Sequence, residues 1–230
     1  MKPRFFNQRT NALTLVEVLV VIAVLVIAVA LILPVLAKAK RKSSRISCAN
    51  DLKQVGIAFR LWEGDNNDKY PMAVSVTNGG AMELTATGNV AACFRVMSNE
   101  VNTPKILLCP NDASRVWATD FFTLNNSNIS YFVGFDAVES KTQMFLSGDD
   151  NFAIGGVPVK SGLLELTANT SIVWSSGRHV LPNFPFWTPA RYKFAGNIGL
   201  ADGSVQQLIT DGLRQALQQT GVATNRLVIP

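Results

Sequence analysis

The sequence predicts an α+β protein, in which a long N-terminal transmembrane-plus-amphipathic helix packs on an antiparallel β-sheet head. Three observations favour this class: an apolar run from Val18 to Leu33, apolar residues at helical spacing up to Trp62, and short apolar or aromatic runs between turn residues in the remainder. We divide the 230 residues into a basic leader (1–12), a membrane-spanning helix (13–37), its amphipathic continuation (38–63) and a β-rich head (64–230).

The apolar run is long enough to cross the hydrocarbon core of a bilayer. With Pro34 and the three apolar residues after it, the run reaches the about twenty residues that a membrane-spanning helix needs. A cleaved Sec-type signal peptide is the alternative, but its apolar core holds about 7–15 residues and ends at a small-residue cleavage site. Here the run is longer and passes directly into the basic stretch Lys38–Lys42. The sequence therefore favours a membrane span.

Glu17 is the one carboxylate in this apolar segment. A charged side chain near the bilayer centre costs about 2.5–3.5 kcal/mol, and less near the edge, so a glutamate inside a span indicates a function and a partner. We therefore take Glu17 as the first candidate functional residue.

The residues before Glu17 carry a resemblance to a known family. The leader is short and basic, Ala12 is small, and Leu13–Glu17 is Leu-Thr-Leu-Val-Glu. This resembles the N-terminal segment of type IV prepilins and of type II secretion pseudopilins, which have glutamate as the fifth mature residue. The resemblance implies that a prepilin peptidase cuts between Ala12 and Leu13, and that Leu13 is then N-methylated. The family more often has Gly before the cut and Phe after it.

The resemblance also implies an assembly role for two residues of the helix. Cleavage frees an α-amine at Leu13, and positions four apart lie on the same side of a helix. Glu17 would then face the ammonium of its own chain or of a neighbour, which converts a costly charge into a docking contact. Pro34 stands where the family often has a proline, and a proline inside a helix removes a hydrogen bond and bends it.

The basic excess of the chain belongs to the membrane segment and its borders. Of 21 Lys and Arg residues, three lie in the leader and five between Lys38 and Arg45, which leaves 13 against 15 acidic residues after Glu17. The head is thus slightly acidic, and a nucleic-acid partner is not expected.

The number of basic residues near each end of the span favours a cytoplasmic location for its C-terminal side. The family resemblance implies the reverse orientation, with the leader cytoplasmic and the head periplasmic. We adopt this orientation, because the position of Glu17 is a more specific signal than the count of basic residues.

Helical spacing continues beyond the span. One predicted face contains five residues at spacings of three and four: Cys48, Leu52, Val55, Phe59 and Trp62. Gly64 is a predicted C-cap, so a single helix would cover Leu13 to Glu63, about 51 residues and roughly 75 Å. A break at Pro34 or at Ser43-Ser44 is the alternative. The segment Ile46–Gly56 resembles prepilin-type proteins of planctomycete and verrucomicrobial lineages, which have S-C-x-N-x-L-K-Q-x-G after the membrane helix.

The remainder predicts a meandering antiparallel sheet with few helices. Alternation of apolar and polar residues at Met82–Ala86 predicts a half-buried strand, and Val90–Asn99 has helical spacing. Pro110 would end a short strand at Ile106–Cys109, and Pro104–Asp112 again resembles the same family. The further predicted elements are strands at Ser130–Phe135, Gln143–Leu146, Leu163–Leu166 and Thr170–Trp174, a proline-rich loop at Leu181–Pro189, a hairpin at Asn197–Leu208, a helix at Asp211–Gln219, and an apolar tail at Leu227–Pro230.

The hairpin segment resembles the C-terminal signature of the same prepilin-type family. Asn197, Asp202 and Gly203 match the signature, whereas Tyr192 replaces the histidine that stands ten residues before Asp-Gly.

Three cysteines with no C-x-x-C pair argue against zinc. In an oxidising periplasm one bridge can form, and Cys48 with Cys109 is the preferred pair; buried free thiols are the alternative.

No residue set predicts catalysis or a cofactor. His179 is the single histidine, so neither a Ser-His-Asp nor a Cys-His arrangement has support. Asp149, Asp150 and Asp202 are weak calcium candidates of the sort that some major pseudopilins carry near the C-terminus, and solvated turn residues are the more ordinary interpretation. We expect no enzyme activity.

The sequence therefore predicts a structural pseudopilin-like subunit of a type II secretion or type IV pilus-like filament. Its expected partners are the prepilin peptidase, other pilin-like subunits, the inner-membrane assembly platform and membrane lipid. Its expected location is the inner membrane, with a single span, before assembly. A permanently membrane-anchored extracytoplasmic binding or sensor domain is the main alternative. A secreted enzyme with an uncleaved signal is a weaker one.

Overall fold

The computed structural model describes residues 14–175 and 195–230, without the side chains of residues 37–42. The chain divides between Ser43 and Ser44 into two compact units. Helix α1, Leu15–Asp65, begins in the first unit and ends in the second. Its bounds enclose Pro34 and Ser43-Ser44, the two positions where the sequence allowed a break.

The first unit contains the apolar part of α1. Leu15–Leu36 has a mean hydropathy of 3.4 over 22 residues, and none of its most apolar window is buried in the protein. This helix is long and apolar enough to cross a membrane, which is a property of both membrane anchors and signal sequences near an N-terminus. Exposed valine, leucine and isoleucine over this length favour an apolar surrounding, because water solvates such a surface poorly.

The second unit begins with the amphipathic part of α1. The helical spacing is confirmed, since the structure buries the whole predicted face: Cys48, Leu52, Val55, Phe59 and Trp62. The helix continues two residues beyond Glu63, the predicted last helical residue, so the predicted cap at Gly64 is wrong. The Glu63 carbonyl accepts hydrogen bonds from the amides of Asn66 and Asp68, and Asn67 and Asp68, not Gly64, adopt positive φ angles of 57° and 55°. Polar Asn and Asp tolerate this conformation and end the helix.

Three short helices follow: α2 Met82–Ala86, α3 Val90–Val96 and α4 Ser98–Val101. The predicted strand at Met82–Ala86 is wrong, because Ala81 and Thr85 are buried one helical turn apart while Leu84 is exposed. The predicted strand at Ile106–Cys109 is also wrong. Residues Pro104–Leu107 form a 3-10 helix, in which proline takes the first position and the Thr103 side chain caps the N-terminus.

Within the described residues, nine strands form two antiparallel sheets, and helix α5 covers Thr210–Gln219. The strands are β1 Tyr131–Gly134, β2 Phe145–Asp149, β3 Phe152–Ile154, β4 Val157–Pro158, β5 Gly162–Thr167, β6 Ile172–Trp174, β7 Ala195–Leu200, β8 Val205–Ile209 and β9 Thr224–Ile229. The larger sheet has the order β5-β9-β1-β2-β7-β8, and the smaller one has the order β4-β3-β6. The predicted meander is wrong for the larger sheet, because its last strand, β9, lies between β5 and β1.

The larger sheet is covered on both faces. Alternate residues of β1 point to opposite sides, so Tyr131 and Val133 join the core under α1, whereas Phe132 joins a second core with Phe152 and Trp174. Strands β1, β2 and β7 are buried at every position, as central strands between two layers are. The predicted loop at Leu181–Pro189 lies outside the described residues.

Candidate functional site

Thr14 and Glu17 form a reciprocal cap at the start of α1. The backbone N–H and the hydroxyl of Thr14 both donate to Glu17 Oε2 at 2.8 Å, and the Glu17 amide donates to Thr14 Oγ1 at 3.3 Å. This is a capping box, in which the N-cap and N3 side chains each bind the other's backbone amide. The carboxylate also lies at the positive end of the helix dipole. These contacts explain how an apolar helix tolerates a charge in its first turn.

The predicted processing residues adjoin this cap. Ala12 and Leu13 lie outside the described residues, and Thr14 follows Leu13 directly. The amide that Glu17 binds is that of the Leu13–Thr14 peptide. The sequence interpretation used Thr14 only as part of a family pattern. A threonine three residues before a glutamate, ahead of an apolar run, was itself a capping signal.

Pro34 lies inside α1 and is exposed. The helix continues on both sides of it, so the missing proline N–H does not end the helix. Its ring and the adjacent side chains of Leu33 and Val35 are apolar and exposed.

Two of the three head segments that resemble the prepilin-type family, Ile46–Gly56 and the β7–β8 hairpin, contact each other. Gly56 of α1 faces Gly203 in the turn between β7 and β8, where a Cβ at residue 56 would lie 3.7 Å from the Gly203 backbone. Leu52 lies against Gly199 in the same way. The Arg60 guanidinium donates to the Asp202 carbonyl at 2.8 Å. This helix–hairpin junction therefore gives both signatures one structural role.

The hairpin turn has the predicted geometry. Gly203 adopts a φ of 81°, which L side chains rarely adopt, and its amide donates to the Leu200 carbonyl. The Asp202 side chain accepts from the Ser204 amide at 2.8 Å. Tyr70 closes the junction from a second element, because its hydroxyl donates to the Ala201 carbonyl at 3.0 Å. Asp202 and Gly203 thus shape the turn on which α1 rests.

Asn197 holds a buried aspartate of the neighbouring strand. Its backbone amide and its Nδ2 donate to Asp149 Oδ2 at 2.7 and 2.9 Å, and both residues are fully buried. A buried carboxylate is stabilised by such donors, since burial without them carries a large desolvation cost. Residue type alone gave no indication of this pairing between β7 and β2.

Asp150 and Asp112 share one buried cation. Arg115 contacts Asp150 Oδ2 at 2.6 Å and Asp112 Oδ2 at 3.1 Å, and its side chain is only 11% exposed. Asp112 also accepts from the Ser130 hydroxyl at 2.8 Å. Asp112, the last residue of the Pro104–Asp112 segment, therefore ties its loop to β1 and β2 through Arg115. The sequence did not indicate Arg115, because no local pattern marks it.

Cys48 of α1 forms a disulfide with Cys109, with 5.0 Å between their Cα atoms. The flanking groups are tied as well: the Tyr131 hydroxyl donates to the Cys48 carbonyl, and the Cys109 amide donates to the Ser130 hydroxyl at 3.1 Å. Cys93 is a buried free thiol, and burial raises its pKa above the ordinary value for cysteine. It is therefore a poor thiolate nucleophile.

The three calcium candidates do not form a common site. Asp149 is bound by Asn197, Asp150 pairs with Arg115, and Asp202 lies in the hairpin turn. In residues 14–175 and 195–230, no group of three or more His, Cys, Asp and Glu side chains is arranged to hold a metal ion. His179 lies outside these residues.

The described residues thus form a capped apolar helix, followed by a head in which a disulfide joins α1 to the segment before β1. No family model matches the chain, and neither the curated proteins nor the solved structures give a match. The contacts described above position a carboxylate at the N-terminal end of an apolar helix and fix the later part of that helix on a sheet.

Proposed function

We propose that the protein is a prepilin-like structural subunit, which a prepilin peptidase cuts between Ala12 and Leu13. The mature chain, N-methylated at Leu13, joins a type II secretion or type IV pilus-like filament. The observation that carries the proposal is Glu17: a single carboxylate at the N-terminal end of an exposed apolar helix of membrane-spanning length. In the filament, apolar helices pack side by side, and Glu17 pairs with the Leu13 ammonium of its own chain or a neighbour.

The disulfide supports the orientation that this function requires. Structural disulfides persist in oxidising compartments, which favours a periplasmic head and a cytoplasmic leader. The partners on this proposal are the prepilin peptidase, the inner-membrane assembly platform and other pilin-like subunits. Such a subunit needs neither a catalytic group nor a cofactor.

The cap itself favours a second candidate, a permanently membrane-anchored extracytoplasmic binding domain. Glu17 already binds Thr14 within its own chain, and this local role requires no assembly partner. A filament subunit needs the negative charge of Glu17 to pair with an ammonium group. A permanent anchor needs only the Glu17 oxygen that accepts hydrogen bonds from Thr14.

Glu17→Gln separates the two candidates, because glutamine fills the N3 position of a capping box but carries no charge. We expect E17Q to lower filament incorporation about tenfold or more, since a bond to a charged group is lost, while membrane insertion persists. Thr14→Ala is the matched control, which weakens the cap by about 1 kcal/mol and keeps the charge. Sheared filaments and membranes would be quantified by immunoblotting. Wild-type incorporation of E17Q would overturn the assembly role and leave the permanent anchor.

A further inference from the structure

A loop between α4 and β1 presents large apolar side chains to solvent. We call residues 115–124 the aromatic loop. Phe122 is 94% exposed and Trp117 is 60% exposed, and Val116 between Arg115 and Trp117 is exposed as well. Tryptophan and phenylalanine are enriched at protein interfaces, and clustered exposed ones mark interaction sites.

Hydrogen bonds brace this loop from both ends. Arg115 is held by two aspartates, and Asn128 Nδ2 donates to the Val116 carbonyl at 2.9 Å. At the other end, Arg95 donates to the Leu124 carbonyl, and the Asp120 side chain accepts from the Thr123 amide at 2.7 Å. A braced loop loses little conformational entropy when its aromatic side chains become buried, so it is suited to docking.

A second exposed apolar surface lies on α1, on the side turned away from the core. Lys53, Ile57 and Leu61 are spaced four residues apart and form what we call the α1 outer row. Ile57 and Leu61 are each 56% exposed, and Lys53 is exposed at the N-terminal end of the row. Asp65 follows one turn beyond Leu61 and gives the other end the opposite charge.

The charges of the two surfaces are complementary in one orientation. Asp120 lies between Trp117 and Phe122, and hydrogen bonds from Thr123 lower its pKa, so that its carboxylate stays charged. In the orientation that sets Asp120 at the N-terminal end of the outer row, its carboxylate faces Lys53, whereas the opposite orientation brings it toward the like charge of Asp65. Opposite charges at an interface fix its register more than its affinity.

We propose that the aromatic loop of one subunit docks on the α1 outer row of a second copy of this chain, with Asp120 beside Lys53. The contact is heterologous, because each copy uses two different surfaces. A heterologous contact that does not close into a ring propagates as an open helical filament. This inference rests on the proposed function, and it adds a contact between heads to the packing of the apolar helices.

Photo-crosslinking of the full-length chain in its membranes and filaments tests the contact. The photoreactive residue p-benzoylphenylalanine replaces Phe122, and Val157 of β4, which is also exposed, is the matched control position. We expect crosslinked dimers from position 122, mapped by mass spectrometry to residues 53–61 of the partner copy, and none there from position 157. Crosslinks from position 122 to any other surface or to lipid would overturn the proposal.

Variants of the two surfaces give a quantitative second readout. Trp117→Ala should lower the crosslink yield about tenfold or more, as truncation of an aromatic anchor does. Lys53→Gln and Asp120→Asn should each lower it about twofold to fivefold, and the double variant should be no worse than either single one. Asparagine keeps the bond to the Thr123 amide, so the loop stays braced. Strict additivity of the two charge variants would contradict the pairing.

The result is separable from that of the proposed function. If Leu13 is the mature N-terminus and E17Q blocks incorporation, but position 122 crosslinks elsewhere, the docking contact alone is refuted. If position 122 crosslinks to residues 53–61 while Leu13 is not processed and E17Q behaves as wild type, the docking stands and the prepilin-like function is refuted.

Discussion

Replacing both Cys48 and Cys109 with alanine is expected to lower the free energy of unfolding of the head by about 4 kcal/mol. The bridge joins residues 61 positions apart, and closing a loop of this length in the unfolded chain carries an entropic effect of that size. It also links α1 to the segment that precedes β1, where Tyr131 and Ser130 bind the two cysteine backbones. Guanidinium unfolding of the detergent-solubilised chain, followed by circular dichroism, measures the change.

A reductant provides the control for the disulfide. Dithiothreitol should shift the unfolding midpoint of the wild-type chain and of a Cys93→Ala variant, but not that of the double alanine variant. Cys93 is buried and free, so its replacement removes a thiol without touching the bridge. Equal midpoints for the wild type and the double alanine variant would show that the bridge contributes no stability.

Gly134→Ala is expected to destabilise the head by about 3 kcal/mol or more. A Cβ at this position would lie 1.8 Å from the Phe145 carbonyl oxygen of β2, so the backbone of a central strand pair must move. Gly134 also pairs with Leu227 of β9, which couples the disturbance to the C-terminal strand. The same unfolding measurement detects the loss.

Gly56→Ala is the matched control, and we expect the opposite sign. The added Cβ would lie 3.7 Å from Gly203, which is an ordinary van der Waals contact. Alanine in a helix interior is favoured over glycine by about 0.8–1.0 kcal/mol, so stability should rise by up to that amount. A loss of several kcal/mol at Gly56 would show that the helix–hairpin junction is tighter than the structure indicates.

Local periodicity was sufficient to predict α1 and its buried face. Cys48, Leu52 and Phe59 recur at helical spacing because one side of α1 packs on the head between Cys48 and Trp62. The Asp202-Gly203 turn was predictable because its backbone needs a positive φ. The apolar helix and the antiparallel sheet follow from such short-range signals.

Other features depended on contacts that no short window contains. Met82–Ala86 has the alternation of apolar and polar residues that is typical of a strand. In the structure the buried residues are Ala81 and Thr85, which are one helical turn apart, and the segment is a helix. The apolar tail forms strand β9 by pairing with β5 on one side and β1 on the other, and both partners are distant in sequence. In the candidate site, the role of each carboxylate depends on its hydrogen-bond or ion-pair partner: Asn197 for Asp149, Arg115 for Asp150 and Thr14 for Glu17. The sequence carried a signal only for the Thr14–Glu17 cap.

Mass spectrometry of the mature N-terminus tests the central claim most directly. We expect a chain that begins at Leu13 and carries one methyl group on its α-amine, with the twelve-residue leader removed. That result places a free amine beside the Glu17 cap, as assembly requires. An N-terminus that retains the leader, or a cut after the apolar helix as in a secretory signal peptide, would contradict the prepilin-like assignment.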